Sequence, residues 1–158
     1  MLLSYFLMIL SLILLIINGL QGYFHFKIYS ASHIQFAFIA TILYMFSQSW
    51  IMCYFIGAGK TIKETILKYN LDKSLYQDVV NSKRKLFPHL TLNILLIGTV
   101  FVIGGGVQTK VISGSTHGGL FILSFLHLLY LIKLEHYEFK ETADMLTKLG
   151  IMIEKKGK

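Results

Sequence analysis

Four stretches of this chain are apolar over the length a helix needs to cross a bilayer, roughly 20 residues. They cover residues 2–26, 33–57, 87–107 and 116–134. The first three contain no Asp, Glu, Lys or Arg. A backbone in hydrocarbon must satisfy its own N–H and C=O groups, and a helix does so within one segment. The expected fold is therefore all-α: a four-helix transmembrane bundle, one integral membrane domain over residues 1–158.

The formal net charge is +7. Its distribution points to topology rather than nucleic acid. Of the 15 Lys and Arg residues, seven lie between Lys60 and Lys85 and six from Lys133 onward. The other two, Lys27 and Lys110, sit singly in short loops. With four spans, the rich segments share one side and the single lysines share the other. By the positive-inside rule both termini are expected to be cytoplasmic, in a plasma or inner membrane. The only cysteine, Cys53, allows no intramolecular disulfide and no thiolate cluster. No basic region precedes the first apolar run and no small-residue cleavage site follows it. It reads as a retained span rather than a signal peptide.

The segment 60–85 has helical periodicity. Ile62, Ile66, Tyr69 and Lys73 follow i, i+4 and i+3 steps, as do Leu71, Leu75 and Val79. This predicts one or two amphipathic cytoplasmic helices lying on the membrane surface. Pro88, the only proline, is expected in the first turn of helix 3, where its missing N–H is harmless. Residues 135–153 read as a charged cytoplasmic extension of helix 4.

A shift of 84 residues places His33 on His117, Gly22 on Gly106 and Ser32 on Thr116. It places Lys27 within one residue of Lys110. This predicts two pseudo-symmetric helical hairpins with His33 and His117 at one depth.

The start of helix 4, Gly114-Ser115-Thr116-His117-Gly118-Gly119, is poor helix-forming sequence. It is expected to be capped by Ser115 or Thr116. Two histidines at one depth, with glycine-rich helix ends around them, suit a flat group held between helices. Neutral imidazole ligates haem iron. The expected site is a b-type haem near the outer face, bound by His33 and His117 with His25 in reserve. Gly22, Gly104, Gly105, Gly106 and Gly118 would clear room for the ring. Lys27 and Lys110 would pair with its propionates. Two other readings stay open. The histidines are interfacial polar residues and the glycines are packing positions, or the imidazoles hold copper or zinc.

His127 lies deep in helix 4, and an ionisable residue at such depth is a functional candidate. Asn93 or Thr91 on helix 3 is placed to bond it. His89 is a partner at a poorly matched depth, for a second haem. A quinone or proton-relay role is the remaining reading. Ser47, Gln48 and Ser49 read as polar glue between helices. Glu135, His136 and Glu138 diverge around a helix, so they make no metal site unaided. No pair of intramembrane carboxylates is expected, which argues against an ion-coupled transporter. GGGVQTK lacks the spacing of a phosphate-binding loop, and no nucleophile–base pair stands out.

In size and plan the chain is similar to small haem-bearing membrane anchors of respiratory enzymes. That resemblance implies a cytochrome b-like electron carrier, or an anchor subunit of a redox complex, rather than a stand-alone enzyme. Its partners would be the lipid bilayer, a redox subunit or a quinone, within a homo- or hetero-oligomer. The alternative is a cofactor-free accessory or assembly subunit.

Overall fold

The computed structural model describes residues 1–28 and 30–156. It is built of four helices: α1 (Leu2–Phe24), α2 (His33–Lys68), α3 (Ser74–Gln108) and α4 (Gly114–Lys156). All four are long and apolar enough to cross a membrane. Helix α1 packs on α2, α2 on α3, and α3 on α4. Side-chain contacts join α1 to α4. At one end Tyr5 meets His136 and Phe139. At the other, Tyr23 Oη donates to the Gly118 carbonyl at 3.5 Å.

The buried residues of α4 explain its reach. Apart from Phe139, beside Glu138, they run Ser124, Leu128, Leu131, Glu135, Glu138, Thr142, Met145 and Leu149. The steps alternate between four and three, the spacing that keeps one face on a neighbouring helix. Helices α2 and α3 carry similar seams, through Tyr44, Gln48, Ile51 and Phe55 and through Leu86, Leu90, Asn93 and Ile97.

These seams change two expectations. The segment 60–85 does not form separate helices lying on a surface. It is the continuation of α2 and the beginning of α3, meeting at residues 69–73. Ile62, Ile66, Val79, Met145 and Leu149 form a core there, so α2, α3 and α4 extend together beyond the apolar spans. Lys156 Nζ closes this end by donating to the carbonyls of Tyr69 and Asn70, at 2.6 and 3.1 Å. Pro88 is inside α3, not in its first turn. The helix has already run from Ser74, and it passes Pro88 without the bond an N–H there would make to the Arg84 carbonyl.

Local chemistry fixes the ends. Ser32 caps α2 in a capping box: its hydroxyl accepts from Gln35 N–H, and Gln35 Oε1 accepts from Ser32 N–H at 2.9 Å. At α4 the cap is Ser113, whose Oγ accepts from Thr116 N–H at 3.1 Å. The helix thus starts before the two residues expected to cap it. His25 ends α1 with φ 55°. Asp72 holds the first turn of α3 by accepting from Ser74 N–H at 2.9 Å and from its hydroxyl at 2.6 Å.

The outside of the bundle is strongly apolar. Phe6, Ile39, Leu95, Val102, Leu123 and Leu126 are each more than half exposed. An apolar surface of this kind is what a water-soluble fold avoids.

Candidate functional site

The end of the bundle that carries Lys27 and Lys110 is called the histidine end below, and the opposite end the lysine end. At the histidine end the seam opens into a cavity of about 830 Å³, bounded by all four helices. His33 on α2 and His117 on α4 both line it. Their ring centres are 6.4 Å apart and the ring planes cross at 74°. Nδ1 of each ring is buried without a hydrogen-bond partner. The Val100 carbonyl lies close to the His117 ring.

Each imidazole lies against a glycine of the preceding helix. A Cβ on Gly22 would stand 3.0 Å from His33 Cε1, and one on Gly104 would stand 3.2 Å from His117 Cε1. These glycines make room for the histidine rings themselves. Gly118 makes room for Tyr23, and Gly19 for Phe121. Gly105 borders the cavity with nothing near a Cβ position. Gly106 does not line it. Its carbonyl accepts from Val111 and Ile112 N–H, at 3.0 and 3.1 Å, and closes the end of α3. The position that matches Gly22 is therefore Gly104, not the Gly106 of an 84-residue repeat.

Other expected site residues fall in different places. His25 borders the cavity from the end of α1, exposed. Lys27 and Lys110 are exposed loop residues and are not on the cavity wall. Polar groups missing from the sequence reading also face the space, among them Thr41, and Asn18, whose buried Oδ1 has no partner. Asn18 lies on the α1 seam with Ser11, Leu15 and Gln21, and that spacing was the available signal. Among the described residues no three His, Cys, Asp or Glu side chains come together where an ion is held.

A second polar group lies midway along α3 and α4. Asn93 Nδ2 is 2.8 Å from His127 Nδ1 and donates to the Ser124 carbonyl at 3.0 Å. Tyr44 Oη donates to Asn93 Oδ1. His89 Nδ1 is 3.4 Å from His127 Nε2, so the depths match better than expected. A metal between two imidazole nitrogens needs about 4 Å, two bonds of about 2 Å. This pair is too close for a second haem iron. Thr91 is exposed and takes no part.

A third group lies just past the fourth apolar span, in the stretch expected to be a charged extension. Glu135 and Glu138 are 0% and 1% exposed. They sit on the α4 seam, where Gln48 of α2 faces Glu135, and Ser47 and Gln48 are equally buried. Charge alone made these residues look solvated. The four–three spacing that continues through them to Leu149 is what places them inside.

No protein-family model, curated protein or solved structure matches this chain.

Proposed function

We propose that this chain is an integral membrane protein that holds a b-type haem between His33 and His117 and serves electron transfer, alone or as the anchor of a redox complex. Both termini and the lysine end lie on the cytoplasmic side, as the charge distribution asks. The histidine end then lies toward the outer face.

The observation that carries the reading is the His33–His117 pair across the cavity. His33 and His117 would be the residues that hold the iron, and the 6.4 Å between their ring centres leaves room for a metal between them. A cavity of about 830 Å³ falls within the range of about 300–1,000 Å³ typical of small-molecule sites. A bare copper or zinc ion would want a third protein ligand that does not converge here. Haem, when bound, supplies one-electron chemistry. The chain's own residues hold the ligands in place. Gly22 and Gly104 seat the rings, Ser32 and Ser113 fix where α2 and α4 begin, and Leu15 and Ile97 close the floor. The propionate contacts expected of Lys27 and Lys110 have no support in the cavity wall.

The test is the reduced-minus-oxidised spectrum of the full chain purified from cells with ample haem. A b-type band is expected. His33→Ala and His117→Ala should each remove it while leaving helix content by circular dichroism unchanged. A colourless wild-type preparation would overturn the haem reading and favour the cofactor-free accessory subunit.

A further inference from the structure

Toward the lysine end, besides Ser4 Oγ on α1, five buried oxygens on α2 and α4 lack a hydrogen-bond partner. They are Ser47 Oγ and Gln48 Oε1 on α2, both carboxyl oxygens of Glu135, and Oε1 of Glu138. Native interiors leave only a few such atoms per hundred residues, each calling for an explanation. Here they cluster on four side chains that are at most 1% exposed.

The cluster has a direction. Glu138 borders a polar pocket of about 130 Å³ at the bundle surface, shared with Asp78, Ser82, Lys85 and Glu141. Glu135 is one turn deeper on the same face of α4. Gln48 faces Glu135, and Tyr44 lies within reach of its charge. Tyr44 belongs to the apolar layer with Leu15 and Ile97 that floors the histidine-end cavity. The polar side chains thus lead from the surface to the layer beneath that cavity.

We propose that Glu138 and Glu135 form a proton entry path from the lysine-end surface to a buried store at Glu135. Glu138 takes a proton from a hydronium ion in the pocket, leaving water, and passes it inward. An O–H bond breaks at Glu138 and one forms at Glu135, with no electron moved. Internal water is the natural partner for the five oxygens. A buried carboxylate without a cation is costly, whereas the neutral acid is tolerated. The titratable groups around the path are Tyr44 on α2, Asp78 and Lys85 on α3, His136, Tyr137 and Glu141 on α4, and Tyr5 on α1. Tyr5 is already bonded to His136 at 2.9 Å. Three acidic or histidine ligands do not converge on the path among the described residues, so it suits a proton rather than a metal ion.

Infrared spectra of the full chain in liposomes test this, with or without haem, so the outcome is independent of the cofactor. A protonated-carboxyl band is expected at neutral pH. It should vanish in Glu135→Gln and persist in Glu138→Gln. On transfer to deuterated buffer it should shift about 10²-fold more slowly in Glu138→Gln, the size of effect a positioned proton donor has. A band unchanged in Glu135→Gln, or equal exchange rates with and without Glu138, overturns the proposal. Should the variants fail to fold, an apolar carbodiimide on the unsubstituted chain gives a second measurement. It is expected to modify Glu135 at neutral pH and less as pH rises. No adduct at Glu135 would also overturn the path.

Discussion

The two halves of the bundle use one seam in opposite ways. At the histidine end, the seam spreads around open space, and small residues let side chains turn into it. Toward the lysine end, the seam is closed by Ile51, Leu86, Leu90, Leu131 and Phe139. Five buried oxygens on α2 and α4 there have no protein hydrogen-bond partner, and no large cavity opens beside them. The first half has the features of a site for a large guest. The second has space only for something as small as a proton and a few waters. Burial alone does not separate them, since both halves hold fully buried polar side chains. What separates them is whether a cavity goes with those side chains.

The sharpest way to break that contrast is to make the closed half wholly apolar. Glu135→Leu removes a carboxyl whose two oxygens have no partner. Replacing an unsatisfied buried polar group by an apolar one of similar size should raise stability by about 1–3 kcal/mol. Chemical unfolding in detergent would measure it. The gain should come with complete loss of the infrared band assigned to Glu135. A large loss of stability would mean instead that the carboxyl has partners that hold the helices together.

Much of this fold is legible in the sequence, and the gaps have physical causes. Apolar length alone locates four helices, because hydrocarbon leaves the backbone few choices. Helix continuation beyond the apolar runs is harder to see. Charged residues on the outer faces of α2, α3 and α4 mask the seam residues Ile62, Val79 and Met145. The pairing of His33 with His117 was readable from matching motifs in two hairpins. The role of the glycines was not. It depends on the tilt and rotation of adjacent helices, which set Gly104 rather than Gly106 beside His117. The proximity of His89 to His127 was also hidden, because α3 runs unbroken through Pro88.

A smaller effect is expected from the glycines that seat the two rings. Gly22→Ala and Gly104→Ala should favour the helix slightly yet press a methyl group against each imidazole. A shift of some tenths of an ångström is enough to loosen a ligand set. Haem retention should fall about tenfold in each, equivalent to about 1.4 kcal/mol. Gly57→Ala, with open space at its Cβ position and away from the cavity wall, should leave retention unchanged. Equal retention in all three would show that the rings reach the cavity without help from the glycines. The proposed division between a ligand-seating end and a closed end would then lose its structural basis.

The smallest effect tests whether the turn beyond the closed half matters to the bundle. Asp72 joins α2 to α3 and is exposed. Its hydrogen bonds from the Ser74 hydroxyl and N–H hold its carboxyl below the usual carboxylate range. A carboxyl depressed in the folded state adds stability above its unfolded value, near 3.9, and loses it as pH falls through the folded value. The wild-type thermal midpoint in detergent should therefore drop more steeply below about pH 4 than that of Asp72→Asn. At neutral pH the variant should be only slightly less stable, since the capped turn is solvent-exposed and the packed core of Ile62, Ile66, Val79, Met145 and Leu149 remains. Parallel acid limbs would show that the α2–α3 turn opens before the bundle does.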